Sequence, residues 1–353
     1  MNTINIKNLK DISWLVSEEV YRADSALSYS TLATYERGGF NELSNLFDKK
    51  ETPSLTFGSA VDSIITGGKE EFDSKFIVAE FSSLSDTYIL ITKELFNKYG
   101  KTHHSINDIE DNLILELAIS YNFQSNWKDI TKVKVIKEKC AEYYNLLFLS
   151  GVKTILNTQT YNDVINSVRA LKHSTSTKFY FADNSPFIPE IDRQYQLKFK
   201  AELNGIMYRC MVDLLIIDYN NKTIQPIDLK TSSHTEWDFY KSFIQWNYQI
   251  QARLYYRIIL ENIKNDDFFK DFTLLPYKFI IVNRKTLIPL VWDCDFTIDT
   301  GDLVFGKNNQ IVMRDPCTIG EELNYYLSTP SRQVPIGIEK DGNNDLRTWL
   351  NKI

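Results

Sequence analysis

Apolar residues recur at helical spacing through the first half of the chain and at alternating or contiguous positions from residue 190 onward, which predicts helices first and strands later. Ser28-Tyr-Ser30 opens a short helix that runs through Arg37, with Ser30 as its N-cap and Gly38-Gly39 as its stop. Thr52-Pro53 precedes a helix from Leu55 to Thr66, ended by Gly67-Gly68. Residues 106–125 and 128–149 carry helical apolar spacing, the first through Ile109, Leu113, Leu115, Leu117 and Ile119. A further helix is expected over about 158–172, starting near Thr158 or Thr160, with Val164, Ile165, Val168 and Leu171 on its apolar side.

From Glu190 the period shortens to that of strands. Tyr195 to Ala201 and Ile206 to Ile217 flank Asn204-Gly205, a strong short-range hairpin signal. A second apolar run, Thr223 to Thr231, follows an Asx-rich loop and completes a three-stranded meander with Asp213 on its middle strand. Pro226 cannot donate to a ladder and predicts an edge or bulge just before Asp228. A long helix is expected from Trp237 to Glu261, then strands at Tyr277 to Val282 and Ile288 to Cys294, then a helix from Ile319 to Leu327. No repeat or long linker interrupts the chain, so residues 1–353 read as one elaborated α/β (α+β) domain. Its 1–180 part is mainly helical, and its 181–353 part carries a mixed central sheet with C-terminal helices.

Composition narrows this picture. With 43% hydrophobic residues the chain can bury a substantial core, and a net charge of −6 excludes a polycation that coats nucleic acid. Contact with DNA would require a local basic groove. The cysteines at 140, 210, 294 and 317 lack C-x-x-C spacing and read as isolated reduced thiols, and no ligand spacing links the histidines at 103, 104, 173 and 234. The N-terminus shows no basic segment followed by an apolar stretch, and no apolar run is long enough to span a bilayer. A soluble, intracellular protein without a membrane partner is expected. Aromatic residues are plentiful, and a few could serve for stacking on bases.

The most informative chemistry lies in Met211-Val-Asp213-Leu-Leu-Ile-Ile217 and Pro226-Ile-Asp228-Leu-Lys230-Thr231. A hairpin turn centred between Asn220 and Asn221 sets Asp213 directly opposite Asp228, with Cβ atoms roughly 4.5–5.5 Å apart. Two facing carboxylates in apolar strands repel unless a cation lies between them, and hard oxygen ligands suit Mg²⁺ or Mn²⁺. The strand period puts Lys230 on the same face as Asp228, where an ammonium can orient a water and stabilise charge developing on a phosphate. The same residues could instead form an ordinary cross-strand ion pair on a surface hairpin, but the apolar flanks argue against that.

Several motifs, in order, resemble those of the PD-(D/E)XK nuclease superfamily, specifically the branch of RecE-type phage exonucleases (exodeoxyribonuclease VIII) and RecB-type nuclease domains. Leu27-Ser-Tyr-Ser-Thr-Leu resembles the Ser-rich opening of that branch, and Leu55-Thr-Phe-Gly-Ser-Ala-Val-Asp62 its G-x-x-x-H helix. Ile155 to Tyr161, continuing through Ala170-Leu-Lys-His173, resembles the helix before the catalytic sheet. Asp228-Leu-Lys-Thr231 is similar to the D-L-K-T signature, and Gln251-Ala-Arg-Leu-Tyr255 to the Q-x-x-x-Y helix. The resemblance covers most of the chain and implies a restriction-endonuclease-like core.

The resemblance further implies that Asp213 and Asp228 ligate Mg²⁺ or Mn²⁺ and that Lys230 positions or activates the attacking water. It implies a further acidic ligand upstream, matched best by Glu190, 23 residues before Asp213. The hairpin register opposes that match, because Asp213 should face Gln196 and Glu190 would lie about 20 Å along the strand unless a bend returns it. Glu202 is the fallback. Asp62 stands where the family has histidine and could serve as an oxygen ligand. Gln251 and Tyr255 share a helix face and are implied to contact DNA or the active site. Thr231, Ser232 and Ser233 could donate to phosphate. The expected activity is a metal-dependent exodeoxyribonuclease on linear double-stranded DNA in recombination or repair, in the cytoplasm of a bacterial or phage-infected cell. A homo-oligomer and a single-strand annealing protein as partner are implied by the resemblance alone. A structure-specific or restriction-like endonuclease of the same fold, or a DNA-binding module that has lost catalysis, are the alternatives.

Overall fold

The computed structural model describes residues 7–47, 52–82, 84–151, 153–184, 190–232, 234–308 and 310–328. In chain order its elements are α1 (Glu18–Ala23), α2 (Tyr29–Gly38), α3 (Pro53–Lys75), β1 (Phe76–Ala79), α4 (Asp86–Tyr99), α5 (Asp111–Ser120), α6 (Asp129–Ser150), β2 (Thr154–Asn157) and α7 (Thr158–His173). The second half follows with β3 (Ile191–Leu203), β4 (Ile206–Asp218), β5 (Thr223–Thr231), α8 (Phe239–Gln245), α9 (Tyr248–Lys264), β6 (Thr273–Leu274), β7 (Tyr277–Val282), β8 (Leu290–Cys294), β9 (Leu303–Phe305), β10 (Ile311–Met313) and α10 (Pro316–Ser328).

The fold is a mixed sheet ordered β3-β4-β5-β7-β8, with β6 also on β5, covered by helices. Pairing is antiparallel except where β5 meets β6 and β7. On one face α2, α9 and α10 pack through Leu32, Ile250, Ile258 and Leu323 against Phe199, Val212 and Phe279. On the other, α3 and α7 pack through Phe57, Val61, Val164 and Leu171 against Leu214, Ile216 and Ile280. The N-terminal helices therefore complete the core of the sheet. Helices α4, α5 and α6 bury a separate cluster around Ile91, Ile114 and Ile136. All four cysteines are buried free thiols. Among the described residues no helix is long and apolar enough to cross a membrane.

Four expectations are corrected. Ser28, not Ser30, caps α2, because its side chain and that of Thr31 bond reciprocally to each other's backbone N–H. Gly68 does not end its helix; at φ 67° it kinks α3, which resumes to Lys75. The long helix is two, since Asn247 adopts a left-handed conformation (φ 53°) between α8 and α9. Pro226 lies within the sheet. It pairs with Leu215 on one side, and its other side falls in the gap where the neighbour of β5 changes from β6 to β7, so its missing N–H leaves no ladder bond unmade.

Candidate active site

Asp213 occupies the one step of β4 at which backbone pairing fails on both sides. The β3–β4 ladder runs from Ile191–Asp218 to Leu203–Ile206 and skips only Gln196, whose φ is 53°. The β4–β5 ladder runs in the predicted register from Asp218–Thr223 to Leu214–Ile227 and stops there. Beyond it β5 leaves β4 and continues along β7 to Thr231. A carboxylate oxygen takes over the lost pairing: Leu229 N donates to Asp213 Oδ2 at 2.9 Å. The strands thus part at the two aspartates.

Into that parting come side chains from two helices. Asp62 of α3 meets Gln196, whose Nε2 donates to its two oxygens at 3.1 and 3.0 Å and to Asp213 Oδ1 at 3.2 Å. The close seating of α3 depends on Gly58, where a Cβ would lie 3.0 Å from Thr231 Oγ1. From α9, Gln251 donates to Asp228 Oδ1. Asp228 is 1% exposed. Lys230 Nζ lies 2.7 Å from Asp228 Oδ2 and 4.6 Å from the centroid of the Tyr248 ring. That oxygen has the ammonium beside it but no donor in hydrogen-bond geometry, and buried Gln251 Oε1 has none either.

The electrostatics follow from three carboxylates and two ammonium groups: Lys230 acts on Asp228 and Asp213, and Lys75 at the end of α3 acts on Asp62. Burial, then Asp228 and Asp62, push Asp213 well above the usual carboxylate range. Burial, with Glu71 next, raises Asp62 to about 7, and Asp228 adds to the shift. Burial alone would lower Lys230, but Asp228, Tyr248, Tyr29 and Asp213 outweigh it and raise it. Lys230 is therefore a fixed cation that can orient and donate, not a base that takes a proton.

The remaining predicted residues fall elsewhere. Glu190 is not brought to the site. The register of β3 is the same on both sides of Gln196, and Glu190 O accepts from Tyr219 N at 2.8 Å, so it lies six residues, about 20 Å, from the Gln196 step. Glu202 is no substitute, because it pairs with Met207 near the opposite end of the strand. Tyr255 is buried with its ring against Tyr277, close enough to the site for the charges of Asp228 and Asp213 to act on it. Ser232 Oγ accepts from His234 N at 3.1 Å in the turn after β5, and Thr231 packs beneath α3. Ser233 lies outside the described residues. Tyr248, which the sequence reading passed over, supplies the ring beneath Lys230; its position three residues before Gln251 on α9 was the available signal.

The donor set fits a hard divalent cation. Every candidate ligand is oxygen, the carboxylates are under-neutralised, and two buried oxygens are without hydrogen-bond donors. Among the described residues no three His, Cys, Asp or Glu side chains form a ready-made cage. Asp62 and Asp213 converge instead on the Gln196 amide, and Asp228 on Lys230.

No family model matches the chain, and no curated protein matches it. A crystal structure from Eubacterium rectale, named "Putative exonuclease", aligns over 91% of this chain and 86% of its own at 12% identity and a TM-score of 0.39. A likeness at that level is too low to speak for activity.

Proposed function

We propose that this chain is a divalent-metal-dependent deoxyribonuclease of the PD-(D/E)XK type, most similar in plan to the RecE-like exonucleases that act on linear duplex DNA in recombination or repair. The observation that carries the reading is the convergence of Asp62, Asp213 and Asp228 with Lys230 where β4 and β5 part. A buried carboxylate is costly unless it is paired, and three desolvated carboxylates served by Lys230 and the more distant charge of Lys75 mark a site that awaits a further cation.

Asp213 and Asp228 would hold Mg²⁺ or Mn²⁺, with Asp62 as a third oxygen donor in place of the missing Glu190. When bound, such an ion neutralises phosphate charge and makes a water more acidic. The residues of the chain do the rest. Gln251 fixes the Asp228 carboxylate, leaving Oδ2 toward Lys230. Lys230, kept protonated and braced on Tyr248, places its N–H groups to hold the attacking water in line with the scissile bond or to donate to a non-bridging phosphate oxygen. Arg284, stacked 5.8 Å from the Phe57 ring in the turn after β7, offers an exposed cation to the DNA backbone near the same end of β5. No residue need form a covalent intermediate. A homo-oligomer and a single-strand annealing partner belong to this proposal as well.

The test is digestion of linear and covalently closed duplex DNA with Mg²⁺. Linear DNA should be lost and the closed circle retained, with Asp213→Ala and Lys230→Ala both inactive. Equal loss of the two substrates would replace the exonuclease by an endonuclease, and cleavage that survives either substitution would refute this active site.

A further inference from the structure

The segment between the catalytic strand β5 and helix α9 turns aromatic rings toward solvent. Trp237, Tyr240, Ile244 and Trp246 are each 43 to 50% exposed. The first three recur at the spacing of one helical face. The opposite face of the same segment is buried: Phe239 is 1% exposed and packs on Phe279 and Trp292, with ring centroids 5.6 and 5.9 Å away. The helix is therefore anchored by its inner side, and the outer rings are not needed for the core.

Two cations flank these rings. Lys241 Nζ is 5.7 Å from the Tyr240 centroid, and the Arg37 guanidinium is 5.3 Å from the centroid of Trp246 and donates to the Trp246 carbonyl. Lys241 also pairs with Asp238 at 2.9 Å. The ridge adjoins the active site. Tyr29 donates to Trp246 O at 2.8 Å, its ring lies 6.1 Å from that of Tyr248, and Tyr248 carries Lys230.

We infer that this ridge is a binding platform for an unpaired DNA strand, whose bases stack on Trp237, Tyr240 and Trp246 and whose phosphates meet Arg37 and Lys241 on the way to Lys230. Rings interleaved with cations beside a phosphodiester site match single-stranded nucleic acid, since every base has a face to stack and every nucleotide a charge to neutralise. A second copy of the chain would have to desolvate Arg37 and Lys241 against its own matching cations. The inference rests on the nuclease reading and gives it a substrate form: an end whose strands have separated before cleavage.

The experiment measures fluorescence anisotropy of a labelled oligothymidylate and of a blunt duplex with the full chain in EDTA, so that nothing is cut. Trp237→Ala and Trp246→Ala should each weaken single-strand binding roughly 5- to 150-fold, Trp246→Phe should restore most of the loss, and the blunt duplex should be affected less. Mg²⁺-dependent hydrolysis of bis(p-nitrophenyl) phosphate serves as the separate readout of chemistry and should be unchanged in both alanine variants. If the wild type fails to hydrolyse that ester, the nuclease reading falls while the binding data stand. The platform is overturned if the wild type does not bind the oligonucleotide, or if the variants bind it as well as the wild type does. It is also overturned if sedimentation shows that they instead lose a dimer.

Discussion

Two buried clusters of charge among the described residues are built on opposite principles. At Asp315 every oxygen is satisfied. Arg257 donates to Oδ1 and Oδ2 at 2.7 and 2.6 Å, Arg253 to Oδ2 at 3.1 Å, and the backbone N–H groups of Cys317 and Gly301 at 2.8 Å each. Although burial would raise it, Arg257 and the other donors hold Asp315 below the usual carboxylate range. The same two arginines bind the carbonyl of Asp299, and Arg253 that of Gly301, pinning the segment before β9 to α9. Around Asp213 the balance is reversed: carboxylates outnumber cations, Asp213 and Asp62 are raised, and Asp228 Oδ2 and Gln251 Oε1 have no hydrogen-bond donors. A carboxylate whose oxygens are all paired with cations and backbone donors marks a cluster that holds the fold, whereas a deficit of positive charge marks one that waits for a ligand.

Substitution should separate the two most sharply. Asp213→Asn is expected to reduce DNA cleavage on the order of 10³-fold or more while leaving the metal-free thermal midpoint unchanged or higher, because a repelling buried charge is removed. Asp315→Asn should do the reverse. Breaking a buried pair from one side costs about 3–5 kcal/mol, because both arginines lose their counter-charge, so the denaturant midpoint should fall steeply. The activity of the molecules that remain folded should be nearly normal. A metal-free midpoint that falls as far for Asp213→Asn as for Asp315→Asn would erase the distinction.

The clusters should also respond to pH with opposite sign. Asp62 has a folded pKa of about 7, above the ordinary value of 3.8. Between those limits the folded state binds more protons than the unfolded one, so its contribution to stability is present at low pH and is lost as pH rises toward about 7. Asp315 is depressed instead, so its contribution is present above pH 3.8 and is lost as pH falls further. Metal-free unfolding measured from pH 4 to 8 should therefore show a decline that Asp62→Asn flattens and that Asp315→Asn does not. Saturating Mg²⁺ should reduce the decline, since a cation bound by Asp62 favours its ionised form.

Much of the site was legible because its logic is local. A turn between Asn220 and Asn221 fixes which residues of two strands face each other, and the observed ladder keeps that register from Asp218–Thr223 to Leu214–Ile227. Asn204-Gly205, both at positive φ, set the other hairpin, which places Gln196 at the level of Asp213. What could not be read depends on distant partners. Strands β1 and β2 are four residues each and exist by pairing with one another across α4 to α6. The apolar spacing runs through Asn247 without a sign that its backbone turns left-handed. Glu190 was favoured by resemblance and opposed by register, and register prevailed because a strand of fixed rise cannot return a residue six positions away.

Gln196 offers the subtlest test of the comparison, since it is neutral and yet sits where the deficit is greatest. A non-glycine residue at φ 53° in the middle of a strand is unfavourable and persists only when its surroundings demand it. What they gain here is an amide that donates to Asp62 and Asp213 together, holding two like charges near each other without a cation. Gln196→Gly would relieve the backbone and remove the amide. Gln196→Glu would keep the size and add a carboxylate. If the amide holds the ligands in place for a metal, the glycine variant should bind Mn²⁺ more weakly by calorimetry, a few-fold, even where backbone relief offsets part of its lost stability. The glutamate variant should be less stable without metal, bind Mn²⁺ more tightly, and regain its midpoint when metal is added, as a site short of positive charge requires. Unchanged Mn²⁺ affinity in both variants would make Gln196 a structural residue like Arg253, and would move the boundary between the two clusters to Asp213 itself.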